Sequence, residues 1–349
     1  MSEKIYEDSS GFCTVTVRDD FLPEGTPCGG RVLRSRAELE DAMRAGSVLE
    51  GVCQMCDCSA MTLYVDLPGG IRGMIPKAEA AYPFASGSSD GGIKDIAVIT
   101  RVGKPVRFKI TGMRDGYALL SRRAVQERCY SEYVSRLVPG DVIPARITHL
   151  EPFGAFCDIG CGLVSLLTVD RISVSRISHP GDRFSQGEDI DAVVSSVDEE
   201  SGRIYLSHRE LLGTWEENAA MFEVGQTVRG VIRSVEEYGV FVELMPNLAG
   251  LAEPFEGAEP GMECSVYIKS ILPERMKIKL VLIDLCVRDK SSPHSLSHVP
   301  RCRRLISSSD VSHISRWLYS PPSASKVIES VFDDCPVESG REKKLSFSG

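Results

Sequence analysis

Short runs in which apolar and polar residues alternate recur along this chain in three sets of five. The first run of each set is led by a glycine and spans Gly46 to Val52, Gly140 to Ile147 and Gly225 to Ile232. Alternation with a period of two buries one face of a strand and leaves the other wet. A second run carries the aromatic residues and covers Ala60 to Leu67, Pro152 to Gly160 and Glu237 to Leu244. A third opens at Gly73, Gly162 and Gly250, and a fourth at Gly103, Gly187 and Gly261. The fifth runs from Tyr117, Arg203 and Lys277. Five short strands with a long connection after the third predict a small closed barrel of OB type, whose oligonucleotide face lies on strands two and three. The expected fold is therefore mainly β, with tandem five-stranded OB-fold barrels in series.

The stretches between barrels follow a different pattern. Ala124 to Leu137 and Glu210 to Phe222 lack proline and carry mixed charge, which predicts short helices that restrain the barrels. Ser35 followed by Glu38 predicts a capping box and a helix ahead of the first barrel. Past Asp284 the chain turns to Ser, Pro and basic residues, with Ser291-Ser292-Pro293 and Ser307-Ser308-Ser309 as expected flexible punctuation. Within it, Ile314 to Phe332 holds Trp317, Tyr319, Val327, Ile328, Val331 and Phe332 at helical spacing, which predicts a small ordered patch docked on its own protein. The expected organisation is an N-terminal extension with a short helix over 1–45, barrels over 46–124, 138–210 and 223–285, and a mostly irregular basic tail over 286–349.

A chain of 349 residues with 42 % hydrophobic content has material for several small cores. Its start lacks the apolar stretch of a signal peptide, and no run of about 18 apolar residues occurs, so a soluble cytoplasmic protein with no membrane partner is expected. The net charge of −9 argues against coating nucleic acid by bulk electrostatics. That charge is uneven: the first module and the tail are basic, the second and third modules acidic. Twelve cysteines scatter through strands and linkers, which does not read as a disulfide framework without a secretory signal. Cys53, Cys56 and Cys58 cluster, but no second Cys/His pair completes a zinc or iron–sulfur ligand set, so reduced thiols and no metal are expected.

Enzyme motifs are missing as well. The chain has no Gly-x-x-x-x-Gly-Lys loop and no His-Glu-x-x-His, and its six histidines do not gather into a catalytic centre. His149, His179 and His208 fall at separate strand and loop positions and are read as structural. No catalytic residue, cofactor or small-molecule substrate is expected.

The aromatic phrases suggest another chemistry. Aromatic side chains gathered on a barrel surface stack unpaired bases whatever the sequence, because every base has a π face. Phe153 and Phe156 flank Gly154-Ala155, Tyr238 and Phe241 flank Gly239-Val240, and the first module offers Tyr64 alone. The competing reading places Phe156, Phe241 and Tyr64 in barrel cores. Gly154 and Gly239 favour a bulge or close backbone approach that turns both aromatics to one face. In the first module Arg107 and Lys109 share a face of the fourth strand by alternation, as candidate phosphate contacts.

Gly-x-Val-x-Gly-x-Val, Phe153-Gly154-Ala155-Phe156, Gly162-Leu163-Val164-Ser165 and the run from Asp198 to Ser207 resemble the S1 domain of bacterial small-subunit ribosomal protein S1, also found at the end of polynucleotide phosphorylase. The likeness runs from Gly46 to Asp284 and is clearest in the last two modules, similar to shortened clostridial-type S1 proteins. It implies an RNA face of Phe153, Phe156, Asp198 and Arg203 in the second module, with Ser165 where the family often has a third-strand histidine. In the third module it implies Tyr238, Phe241 and Lys277, with Glu253 at the histidine position. The first keeps only Tyr64, with Met61 and Pro76 at the other positions. The resemblance further implies non-catalytic binding of single-stranded RNA, as messenger RNA at the 30S ribosomal subunit, by a cytoplasmic, ribosome-associated protein. The alternative is a protein-interaction scaffold or regulator of RNA stability and translation whose barrels make little RNA contact. Salt dependence separates the two, because phosphate contacts make RNA affinity fall steeply with salt.

Overall fold

Each Gly-led module closes on itself because its strands place Val, Ile, Leu or Phe on one face at every second residue. The computed structural model describes residues 14–27, 29–82, 93–114, 116–198, 202–286 and 306–332. Strands β1 (Val15–Val17) and β2 (Val32–Leu33) and helix α1 (Arg36–Ala45) precede the first barrel. In α1 the Ser35 hydroxyl accepts from the Glu38 N–H at 3.3 Å, and the Glu38 carboxylate accepts from the Ser35 N–H at 3.1 Å. A cap of this kind stabilises a helix by about 1 kcal/mol.

The first barrel comprises β3 (Leu49–Asp57), β4 (Thr62–Leu67), β5 (Ile71–Pro76), helix α2 (Asp95–Ile99), β6 (Pro105–Arg114) and β7 (Tyr117–Ser121). Its strands close in the order β3-β4-β5-β7-β6, and β1 adds to β3. Fully buried Leu63, Ile75 and Phe108 fill it; each such side chain contributes about 1.5–3 kcal/mol. Helix α3 (Arg123–Glu132) leads to the second barrel: β8 (Val142–Glu151), β9 (Gly154–Asp158), β10 (Val164–Thr168), β11 (Asp189–Asp198) and β12 (Arg203–Ser207). Helix α4 (Trp215–Ala219), capped by Thr214 and Glu217, leads to the third: β13 (Thr227–Glu236), β14 (Gly239–Met245), β15 (Leu248–Ala252), β16 (Glu263–Leu272) and β17 (Lys277–Cys286). In all three barrels the third and fifth strands run parallel.

The barrels are joined by packed interfaces. Val48, Val125, Cys129 and Val134 share one core with the second barrel, and Gln126 donates to the Cys161 carbonyl at 3.1 Å. Between the second and third barrels, Asn247 accepts from Val174 N–H at 2.9 Å and donates to the carbonyls of Arg209 and Gly213. Buried Glu243 there accepts from both Arg183, at 2.7 Å, and Arg233, at 2.5 Å.

The tail departs from the sequence expectation. The stretch expected to be a helical stripe is a hairpin of β18 (Arg316–Leu318) and β19 (Glu329–Val331), with Trp317 and Tyr319 packed into the third barrel's core. Pro321-Pro322 after Tyr319 denies the stretch a continuous helix, and the bulky residues alternate instead. Ser307 and Ser308, expected as flexible punctuation, donate to the Asp191 carboxylate. Ser291-Ser292-Pro293 lies outside the described residues. Cys53 is buried, Cys56 half-buried and Cys58 exposed at the end of β3. Among the described residues no group of three His, Cys, Asp or Glu is placed to hold a metal, and no helix is long and apolar enough to cross a membrane.

Candidate nucleic-acid interface

Strand register defines one outward ring of five residues on each barrel. In the second barrel it runs His149, Phe156, Leu166, Tyr205, Ser196. In the third it runs Ser234, Phe241, Leu251, Lys279, Ser270. In the first it runs Met55, Tyr64, Met74, Leu119, Gly112. A register shift sits immediately before the first member of every ring, between Ile147 and His149, Ile232 and Ser234, and Cys53 and Met55. Such an irregularity re-aims the following side chain outward.

Phe153, in the turn between β8 and β9, is 54 % exposed and meets half-buried Phe156 edge-to-face, centroids 5.9 Å apart at 88°. Tyr238 is 67 % exposed and meets half-buried Phe241 in the same way, at 6.1 Å and 89°. The glycine between them makes this arrangement possible: a Cβ on Gly154 would lie 2.5 Å from the Leu167 carbonyl oxygen, and one on Gly239 2.4 Å from that of Ala252. Neither pair belongs to a buried core, so each barrel presents one aromatic edge and one aromatic face.

Arg203 is exposed and lies opposite half-buried Asp198 across β12 and β11. Lys277 holds the corresponding place, opposite Leu272, and is exposed. Lys279, which sequence reading passed over, is exposed two residues on and sits in the aromatic ring of the third barrel; the period-two rule applied from Lys277 would have found it.

His149 is the larger surprise. It stacks on Phe156 at 6.5 Å and 23° and bonds Glu151 at 2.7 Å, so it belongs to the aromatic face. The bulge that turns it outward leaves no mark in residue types. His208 and His179 are structural: the first is buried against the Asp191 carbonyl and the second accepts from the Gly181 N–H.

Two sequence assignments are corrected. Ser165 faces inward, buried, and donates to the Ile204 carbonyl. Two residues beyond the ring member of the third strand stand Pro76 in the first barrel, Thr168 in the second and Glu253 in the third, so Thr168 holds the position that sequence spacing gave to Ser165. Gly162 lies in the turn four residues before its ring member Leu166, whereas Gly73 and Gly250 stand one before Met74 and Leu251, so a match anchored on the glycine is displaced. Arg107 is not a surface cation at all. It is 0 % exposed, donating to Glu50 at 3.0 Å and to the Asp20 carbonyl at 2.7 Å, with the Asp20 carboxylate 2.8 Å away. Burial raises the Asp20 pKa, but the Arg107 charge and hydrogen bond outweigh it and hold the carboxyl below its ordinary value. The N-terminal segment, unseen in the strand pattern, covers the face that Arg107 shares with half-buried Lys109. On the remaining surface of that barrel Tyr64 lies under Arg72, whose guanidinium is 5.9 Å from the ring.

The S1 RNA binding domain family matches residues 137–209, which are the second barrel. That barrel is an S1 RNA-binding domain. Over 234 residues the chain is 31 % identical to small ribosomal subunit protein bS1 of Leuconostoc lactis, covering 62 % of this chain and 52 % of that protein. It is 30 % identical over 236 residues to bS1 of Staphylococcus aureus (strain COL), covering 62 % and 57 %. The chain thus spans about half the length of the curated relatives it matches. The solution structure of GSP13 from Bacillus subtilis is similar at 27 % identity and a TM-score of 0.20, covering 21 % of this chain and 57 % of that one. The third barrel repeats the S1 domain's ring, strand order and edge-to-face pair.

Proposed function

We propose that this protein binds single-stranded RNA on the outer faces of its second and third barrels, without catalysis, and that the RNA is messenger RNA at the 30S subunit in the cytoplasm. The observation that carries the reading is the repeated pair: Phe153 with Phe156 and Tyr238 with Phe241, each holding an exposed ring beside a half-buried one. Stacking of this kind is worth about 1–3 kcal/mol per base and tolerates sequence. Arg203, Lys277 and Lys279 supply cations beside the rings, which offsets the acidic balance of these modules. The packed interfaces fix the distance between the two faces, so a strand on one barrel meets the next at high effective concentration. The bS1 relatives support the ribosomal setting.

Sedimentation of the tagged full chain with ribosomal fractions tests that setting. Comigration with 30S subunits that is lost on ribonuclease treatment is the expected result, and a profile confined to the top of the gradient would refute it. A second reading, contact with protein, is favoured only at the first barrel, whose ring is apolar and leaves Met55, Leu119 and neighbouring Tyr117 exposed.

A further inference from the structure

A cleft of about 200 Å³ opens where the first barrel meets the second. Arg101 and Lys104 line it from the first barrel and Arg146 from the second, with Glu24 and Asp158 between them. Most of these charges are answered. Both oxygens of Glu24 accept from Arg122 at 2.8 Å, and Arg146 donates to Asp189 at 2.7 Å. Asp158 accepts from the N–H groups of Glu24, Gly160 and Gly162, and burial and then the charge of Glu24 push its pKa up to about 7.

Two cations are left. The Arg101 side chain is only 17 % exposed, its closest carboxylate is Glu24 at 3.7 Å, and its buried Nε has no acceptor. A buried guanidinium nitrogen without an acceptor is costly, since it has given up its solvation and gained no partner. Lys104 is half-buried and has no carboxylate partner among the described residues. Burial lowers the pKa of both groups, and so does the neighbouring positive charge, Arg122 for Arg101 and Arg101 for Lys104. Adjacent cations in a concave site are complementary to an anion of two charges. The guanidinium fork fits two oxygens of such an anion and the ammonium acts as a point charge. The space is below the range of about 300–1,000 Å³ that holds drug-sized ligands, which selects a compact group.

We propose that this cleft binds a phosphoryl anion, held by Arg101 and Lys104, either as a free phosphoryl compound or as the 5′-phosphate end of an RNA. The cleft lies beside the aromatic face rather than on it: Arg146 and Ile147 line it ahead of the bulge at Thr148, which turns His149 to the other face.

The test uses the full chain and inorganic pyrophosphate. Thermal melts should show a saturable rise in Tm with pyrophosphate, because a ligand that binds only the folded state stabilises it by mass action. Lys104→Gln should abolish the rise while leaving the ligand-free Tm unchanged or higher, and Arg101→Gln should abolish it too. Should Arg101→Gln fail to fold, Lys104→Gln decides alone. A second arm compares one RNA with a 5′-phosphate or a 5′-hydroxyl. At least tenfold tighter binding of the phosphorylated form, lost in Lys104→Gln, assigns the site to RNA ends. A pyrophosphate effect without that discrimination assigns it to free phosphoryl compounds. No saturable effect in either arm, or an effect that survives Lys104→Gln, overturns the proposal. The Phe153→Ala, Phe156→Ala protein should keep its pyrophosphate response, so failure of the stacking face and of this cleft are read separately.

Discussion

The first barrel is the basic one by composition and the second is acidic, yet their outer faces do not follow that order. Arg107 and Arg122 of the first module are turned toward the N-terminal segment and the second barrel, where Asp20, Glu24 and Glu50 meet them. Its exposed ring is left with methionine, leucine and a tyrosine under Arg72. The second barrel buries Asp158 and Asp191 and presents Phe153, Phe156, His149 and Arg203. Charge summed along a sequence therefore describes a module's whole inventory, while binding depends on which members of it the neighbouring segments leave uncovered.

The sharpest break of this contrast is Arg107→Gln. Removing one partner of a buried ion pair costs about 3–5 kcal/mol, so a large drop in Tm is expected, with RNA affinity of the folded fraction unchanged. A folded, stable Arg107→Gln protein with weakened RNA binding would return that residue to the surface set. Next in size is the double substitution Phe153→Ala, Phe156→Ala, expected to weaken binding of unstructured RNA by about 1–3 kcal/mol per stacked base. Its circular-dichroism melt should stay cooperative, and Tyr64→Ala should leave affinity as it was. Equal losses from both would erase the difference between the barrels.

Smaller again is the electrostatic effect of Arg203→Gln with Lys279→Gln. Titrations across salt should show the slope of log affinity against log salt flattened by about 0.7 per lost single-strand phosphate contact. A parental slope would make these residues a solvated face only.

The smallest effect concerns the junction that occupies the first barrel's arginines. Asp158 sits at about 7 in the fold against an ordinary value of 3.8, so the folded chain takes up a proton as pH falls through 7 and gains stability from pH 8 towards 6. Glu24 behaves oppositely: burial raises its pKa, Arg122 outweighs that, and the stabilisation present above 4.5 is lost as pH falls below it. Tm should therefore rise modestly between pH 8 and 6 and fall in acid. Asp158→Asn should lose the rise; a Tm flat from pH 8 to 6 in the parent would contradict the shift.

Strand-level information was local and legible. Alternation, Gly154, Gly239 and the Ser35 to Glu38 spacing each act within a few residues, and the barrels, the paired aromatics and the capped helix follow from them. What escaped was set by contacts across the chain. Arg107 reads as a surface cation until residues 14–27 lie over it. His149 reads as an isolated strand residue until a bulge turns it, and Ser165 matches a motif until the strand pairing shows that Gly162 stands three residues earlier than Gly73 and Gly250 do relative to their ring members. The Trp317 stripe reads at helical spacing, but Pro321-Pro322 interrupts a helix and the third barrel's core takes up Trp317 and Tyr319 from a hairpin.

That hairpin also sets a clock. The N–H of Val142, at the start of β8, bonds the Ser312 carbonyl, and His313 reaches Asp141 across 172 residues of sequence. Synthesis at about 5–20 residues per second leaves on the order of 10–30 s between the two halves of this contact. During that interval the second and third barrels are already made, but the seam between them lacks Trp317 and Tyr319. The relative placing of the two aromatic faces is thus completed by a segment that emerges after both barrels, and a nascent chain passes through a period in which its barrels exist before their alignment does.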